Sequence, residues 1–205
     1  MKKIVMFDFD GVLVDTLALN LSICEKIGKP VTRERYVSWF EKNIYESVEA
    51  KYPDLGRDKG HDPFFEHYVT GLMELSPDPR MLSVITTLAC SYYLFIVSSA
   101  NHSAVDGFLQ KHGLRSYFSA LLCMEVHKSK TWKIRKIMMD YQKEEDDLIF
   151  ITDTLGDIEE ARRVRVSSLA VSWGYHSLPT LQKAAPLAVV EQPEHLVPLV
   201  KNYLG

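Results

Sequence analysis

Cysteine is scarce in this chain: 205 residues contain three, Cys24, Cys90 and Cys123. The number is odd, and the spacings match neither a zinc ligand set nor a redox pair. Each lies in an apolar stretch, so the sequence predicts buried thiols in a reducing compartment rather than a disulfide-stapled secreted scaffold. Positive charge is not in excess, because 24 Lys and Arg stand against 27 Asp and Glu for a formal charge of −3. The chain therefore offers no broad field to hold nucleic acid or an anionic membrane surface. Long apolar runs are missing too. The longest, such as Leu148-Ile149-Phe150-Ile151, fall far short of the roughly 20 residues that a bilayer crossing needs. After Met1-Lys2-Lys3, the run Ile4-Val5-Met6-Phe7 is ended by Asp8. That is too short for a secretory signal, and the expected location is the cytoplasm. With 10 Gly, 9 Pro and 46% apolar residues, the composition excludes a disordered chain and is enough for a real core. There is no internal repeat and no low-complexity tract.

What is present is an alternation of short β-type runs with segments of helical period, the pattern of a parallel sheet covered by helices. The runs are Ile4 to Phe7, Tyr93 to Val97, Leu121 to Met124, Leu148 to Thr152 and Leu169 to Val171, with a weaker one at Leu187 to Val190. Ser103 to His112, closed by Gly113, and Thr131 to Tyr141 have the apolar spacing of crossover helices. The stretch between Asp10 and Ser98 is far longer than the few tens of residues a crossover takes, so something is inserted there. Leu17 to Ile27 with an Asp15/Thr16 start, Glu34 to Lys51 and Pro63 to Leu75 favour helix, with Pro53, Gly56 and Gly60 between them. The expected fold is α/β, a Rossmann-like parallel sheet with a small helical cap subdomain. Residues 1–15 and 79–205 form the core and 16–78 the cap, with connections near Val14 to Thr16 and Ser76 to Pro79.

In open α/β sheets, ligands sit beyond the carboxyl ends of the strands. The residues there are polar and of matching kind: Asp8-Phe9-Asp10-Gly11, Ser98-Ser99-Ala100-Asn101 and Thr152-Asp153-Thr154-Leu155-Gly156-Asp157. Four carboxylates on one sheet edge repel one another unless a cation sits among them. Such oxygen-rich sites suit Mg²⁺, which keeps several waters and binds substrate phosphate along with one or two carboxylates. With Ser98, Ser99 and a lysine ammonium added, the constellation points to phosphoryl transfer. Lys128 and Lys130 both precede the helix that leads to the fourth strand. Lys130 is favoured because it stands next to the Thr131 start.

At this point the chain resembles a known family. Asp8-Phe9-Asp10-Gly11-Val12-Leu13-Val14-Asp15-Thr16, the strand ending at Ser98, Lys130, and Asp153-Thr154-Leu155-Gly156-Asp157-Ile158 look like the four motifs of the haloacid dehalogenase superfamily, in order. The style is that of the phosphoglycolate phosphatase and β-phosphoglucomutase branch, which Trp173-Gly174-Tyr175 also resembles. The resemblance implies Asp8 as the nucleophile and Asp10 as the acid and base. It implies Mg²⁺ on Asp8, the Asp10 carbonyl, Asp153 and Asp157, with phosphate held by Ser98, Ser99 and Lys130. The implied partner is a small phosphorylated metabolite, with neither nucleic acid nor membrane. An aspartate at position 10 disfavours the dehalogenase and phosphonatase branches. Thr152 stands where the family usually has Gly, which adds a side chain beside the expected metal.

Other readings carry less weight. A calcium loop at Asp8 is dismissed because Val12 and Val14 occupy ligand positions. A receiver-like phospho-acceptor is opposed by the long insert, while a phosphomutase or a non-catalytic binding protein is left open. His61-Asp62 has no companion histidines at metal-ligand spacing and is expected in a cap loop. The basic set from Lys128 to Lys136 is expected to be a solvated helix face. Trp39, Phe40, Tyr45, Phe64, Phe65 and Tyr68 are expected mainly as the cap's own core.

Overall fold

The computed structural model describes residues 2–51 and 63–205. Pro53, Gly56, Gly60 and the His61-Asp62 dipeptide lie outside these residues. The chain opens with β1 (Ile4–Phe7) and then leaves the sheet, its described residues forming α1 (Leu17–Lys26), α2 (Arg33–Ser38), α3 (Ile44–Lys51) and α4 (Pro63–Leu72) before it returns. It returns through α5 (Pro79–Ala89) and β2 (Tyr93–Val97), followed by α6 (His102–Lys111), β3 (Phe118–Leu122), α7 (Lys130–Tyr141) and β4 (Leu148–Thr152). The last elements are α8 (Leu155–Arg162), β5 (Ser167–Val171), α9 (Leu178–Gln182), β6 (Ala188–Val190) and α10 (Leu196–Leu204). Among the described residues no helix is long and apolar enough to cross a membrane.

The strands form one parallel sheet in the order β3-β2-β1-β4-β5-β6. Both faces are covered, so the central strands are apolar along nearly all of their length, Thr152 at the end of β4 excepted, instead of alternating with polar residues. Val5, Phe7, Leu94, Ile96, Ile149 and Ile151 pack on one face with α5, α6 and α10. Ile4, Met6, Phe95, Leu148 and Phe150 pack on the other with Ile134 and Ile137 of α7 and Ala161 of α8. The sheet order reverses around β1, which is flanked by β2 and β4. Phe7 is in register with both Ile96 and Ile151, so the residues that follow these strands leave the sheet at one level.

Several boundaries differ from the sequence expectation. The segment from Glu34 to Lys51 is not one helix: α2 ends in a tight turn at Trp39–Glu41, and Lys42 is extended at φ −135°. Asn43 causes the break, because its Oδ1 accepts the Tyr45 amide at 3.0 Å and starts α3 afresh. The strand expected at Leu121 begins at Phe118, where the pairing with β2 shifts register between Leu94 and Phe95. Helix α5 was not anticipated. It has an Asp78 cap accepting the Arg80 amide at 2.8 Å, Pro79 in its first turn, and Met81, Val84, Ile85 and Leu88 on its buried face. Cys24 and Cys123 are buried, but Cys90 is exposed. It lies past the inward stripe of α5, at the helix end, with its Sγ 3.4 Å from the Thr86 carbonyl.

Candidate active site

Asp8 follows directly from β1, and its amide still donates to the Ile151 carbonyl at 2.8 Å. Asp8 Oδ1 accepts the Phe9 amide at 2.7 Å, which fixes the carboxylate at the strand end. The chain then turns through Gly11 at φ +74°, a left-handed conformation that favours glycine. A Cβ at Gly11 would lie 2.0 Å from Asp153 Oδ2, so only glycine lets the β1 turn close on that carboxylate. Lys130, the first residue of α7, is buried at 3% exposure. Its Nζ sits 2.7 Å from Asp8 Oδ2 and 2.6 Å from Asp157 Oδ2. Lys128 is exposed, with its ammonium over the Tyr45 ring at 5.2 Å.

Thr152 answers the question of the side chain in the usual glycine position. Its Oγ1 donates to Asp157 Oδ2 at 2.7 Å, from full burial. Ser98 is buried at the end of β2; its amide donates to Leu122 and its Oγ accepts the Ala100 amide at 3.0 Å. Ser99 lines the cleft beside Asp8, Asp10, Lys130 and Asp157. A second lysine, Lys133, lies one turn along α7, fully buried, and donates to the Ser98 carbonyl at 2.6 Å.

The electrostatics are those of an anionic pocket short of positive charge. Burial pushes Asp8 and Asp10 above the ordinary carboxylate range, and Lys130 acts against the rise at both. Asp153 is pushed up to about 7 by burial, with the Tyr175 amide opposing and Asp157 adding to the rise. Asp157 is held low, because Lys130 and its hydrogen bonds outweigh burial. Burial alone would lower Lys130, yet Asp157 and Asp8 together hold it above its ordinary value. Asp157 is therefore the carboxylate held ionised by the lysine.

A divalent cation fits this donor set. Among the described residues no three His, Cys, Asp or Glu side chains already converge as ligands. Mg²⁺ does not require that, since one or two carboxylates and several waters suffice. Asp153 Oδ2 accepts the Tyr175 amide at 2.7 Å, whereas Asp153 Oδ1 is buried with no hydrogen-bond partner. An acceptor oxygen left unsatisfied among the described residues, close enough to feel the Asp8 and Asp157 charges, is where a cation would fit.

The inserted segment is seated on this edge by its own contacts. Tyr45 Oη donates to the Ser99 carbonyl at 2.6 Å, and Asn43 Nδ2 donates to Glu160 Oε2 at 3.0 Å and the Lys128 carbonyl at 3.2 Å. His176 Nδ1 accepts the Leu155 amide at 2.9 Å, so its Nε2–H is left to donate to the Val37 carbonyl at 3.1 Å. A Cβ on Gly156 would lie 2.4 Å from the Lys42 carbonyl oxygen, so backbone meets backbone there. The remaining cleft, walled also by Phe40, Ile44 and Tyr175, holds about 30 Å³, room for a water or two.

The structure thus gathers Asp8, Asp10, Ser99, Lys130 and Asp157 in one cleft, with Asp153 buried beside them and Ser98 one residue behind. Sequence reasoning did not single out Asn43, Lys133, Glu160 or His176. Lys133 and Glu160 carried a faint signal, charged residues in the buried stripes of their helices; the other two act through contacts that no local pattern encodes.

A doubly covered parallel sheet with an acidic, lysine-bridged cleft at its switch point defines an α/β protein with a polar site at the carboxyl ends of its strands. The haloacid dehalogenase-like hydrolase family model matches residues 5–171. The chain belongs to that family and is a hydrolase of its type. It is 26% identical to a phosphoglycolate phosphatase of Agrobacterium fabrum over 97% of this chain and 92% of that one. It is 25% identical to a phosphoglycolate phosphatase of Synechococcus elongatus, over 98% of each chain. Among solved structures, a predicted phosphatase from Clostridium acetobutylicum superimposes with a TM-score of 0.78 at 19% identity, covering 98% of this chain and 99% of that one.

Proposed function

We propose that this hydrolase is a Mg²⁺-dependent phosphatase that cleaves a small phosphomonoester through an aspartyl-phosphate on Asp8. The observation that carries the reading is the Lys130 ammonium, buried 2.7 Å from Asp8 Oδ2 and 2.6 Å from Asp157 Oδ2 at the switch point of the sheet. A buried carboxylate nucleophile needs positive charge beside it while an anion approaches, and the Lys130 ammonium both opposes the rise that burial imposes on Asp8 and offers that charge to the phosphoryl group.

In the first step a carboxylate oxygen of Asp8 forms a bond to phosphorus and the bond from phosphorus to the alkoxy oxygen breaks. Asp10 gives its proton to that oxygen, and the alcohol leaves. In the second step Asp10 takes a proton from water, whose oxygen attacks phosphorus. The Asp8 ester bond then breaks, releasing inorganic phosphate and restoring both carboxyl groups. Lys130, the Ser98 hydroxyl and the amide of Ser99 bind the phosphoryl oxygens. Asp8, Asp153 and the Asp10 carbonyl would hold Mg²⁺, with Asp157 beside them fixed by Thr152 and Lys130. The bound cation supplies charge neutralisation for phosphate and nucleophile.

Residues 16–78 act as a cap on a core of residues 1–15 and 79–205. The contacts of Asn43, Tyr45 and Gly156 describe its closed position. A cleft of about 30 Å³ must open to admit a substrate, and closing it again excludes bulk water. The setting is cytoplasmic, and phosphoglycolate is the first substrate to test, since the curated relatives are phosphoglycolate phosphatases.

The test is phosphate release from a panel of phosphomonoesters, phosphoglycolate among them, with Mg²⁺ and with chelator, using Asp8→Asn as control. Metal-dependent release that disappears in the variant is the expected result. Isomerised hexose phosphate without free phosphate would replace the phosphatase by a mutase, and undiminished release from Asp8→Asn would overturn the nucleophile.

A further inference from the structure

Asp10 is held from two directions. Thr16 Oγ1 donates to Asp10 Oδ1 at 2.6 Å, and Tyr68 Oη donates to the same oxygen at 2.6 Å. Thr16 is six residues along the chain from Asp10, at the connection where the chain leaves the core. Tyr68 belongs to α4, at the far end of the inserted segment, and reaches Asp10 only while α4 lies against the cleft. With its proton committed to Asp10, Thr16 Oγ1 accepts from Tyr175 Oη at 2.8 Å, and Tyr175 Oη accepts from Asn20 Nδ2 at 2.8 Å. The donors therefore run in one direction, from Asn20 through Tyr175 and Thr16 to Asp10, and Tyr68 closes the line from the cap.

We infer that Tyr68 is a positioning residue for the protonation of the leaving group: its hydroxyl, delivered by α4, locks the Asp10 carboxyl and leaves Oδ2 as the oxygen that carries the proton. An oxygen that already accepts two short O–H hydrogen bonds is the poorer base of the pair, so the proton belongs on the other one. Proton transfer requires the acid to be within hydrogen-bond reach and correctly turned, which a carboxyl free to rotate does not guarantee. The device also links closure to chemistry, because Asp10 is fully aligned only when α4 is in place. This inference rests on the reading of Asp10 as acid and base in a phosphatase.

Packing does not depend on the hydroxyl. The Tyr68 ring stacks on Phe64 at 6.2 Å and 15°, meets Phe65 edge-on at 6.4 Å, and belongs to the main core cluster. Tyr68→Phe keeps those ring contacts and removes only the donor.

The experiment compares wild type, Tyr68→Phe and Asp10→Asn on an alkyl phosphate, whose leaving alkoxide needs a proton, and on 2,4-dinitrophenyl phosphate, whose leaving phenolate does not. The quantity read is kcat/KM with Mg²⁺, which covers the steps up to loss of the leaving group. Tyr68→Phe should lose about tenfold or more on the alkyl substrate, a part of the 10²–10⁴-fold worth of a general acid, and change by less than about threefold on the aryl one. Asp10→Asn should show the same selectivity with a larger loss. If Asp10→Asn is selective and Tyr68→Phe slows both substrates equally or neither, the acid stands and Tyr68 is only a packing residue. If Asp10→Asn itself shows no selectivity, Asp10 is not the acid, and the role given to Tyr68 falls with it.

Discussion

Lys133→Met should reverse sign with pH. Lys133 is fully buried, and its ammonium would sit near that of Lys130. Burial, reinforced by Lys130, brings it down from 10.5 to about 8 in spite of Asp8 and Asp157. Between these values the unfolded chain keeps a proton that the folded chain has released, so wild-type stability rises with pH across the window. Below the folded value both states are charged, and the fold carries the full cost of a buried ammonium. The interval between about 8 and 10.5 corresponds to about 3 kcal/mol. Methionine fills a similar space without a charge but leaves the Ser98 carbonyl, now 2.6 Å from Nζ, without its donor. That loss costs about 1–3 kcal/mol at every pH. The variant should therefore match or exceed wild type near neutral pH and fall below it by about 1–3 kcal/mol near the unfolded lysine value. Urea unfolding of both proteins across this range reads the difference directly, and taking the difference cancels other titrations common to both. Parallel stability profiles would show that Lys133 keeps an ordinary proton affinity and would refute the reasoning.

Other consequences follow from single contacts. Gly156→Ala places a methyl group 2.4 Å from the Lys42 carbonyl, so the segment that seats the cap must lift. Phosphomonoesterase kcat/KM should fall by about tenfold, the 1.4 kcal/mol cost of a disturbed closure, with the circular dichroism spectrum unchanged; an unaltered kcat/KM would show that the Lys42 contact does not seat the cap. Thr152→Val removes the donor 2.7 Å from Asp157 Oδ2 and keeps the shape. Chemical denaturation should show a loss of about 1–3 kcal/mol, and a neutral result would mean that Lys130 alone holds Asp157.

Much of the core was legible because a strand buried on both faces is a continuous apolar run. Ile4–Phe7, Tyr93–Val97 and Leu148–Thr152 are such runs, bounded by polar residues. The break at Asn43 was not legible, since the residues on either side favour helix and the interruption is secured by Glu160, 117 positions away. Helix α5 carries a cap, a first-turn proline and a clean apolar stripe, but it lies where the insert rejoins the core, and its start coincides with the turn residues of that connection. The site was foreseen at strand ends, where chain order and chemistry coincide. Its supporting groups were harder to see: Lys133 looks like one member of a basic surface helix, and only the packing of α7 against the sheet puts its ammonium beneath Ser98. The Tyr68 ring meets Phe64 and Phe65 of its own helix, as an aromatic of the insert should, but it packs into the main core beneath the sheet edge rather than into a core of the cap alone, and its hydroxyl reaches Asp10, 58 residues earlier.

The central claim, that Asp8 carries the phosphoryl group, is tested most directly in Asp10→Asn. An aryl phosphate can phosphorylate Asp8 in this variant without an acid, while the base needed to hydrolyse the ester is missing. Rapid acid quench, digestion and mass spectrometry should find one phosphoryl group on the peptide containing Asp8, dependent on Mg²⁺ and absent from the Asp8→Asn, Asp10→Asn double variant. A stoichiometric burst of aryl alcohol with the phosphoryl group on another residue, or one that persists in the double variant, would contradict the account.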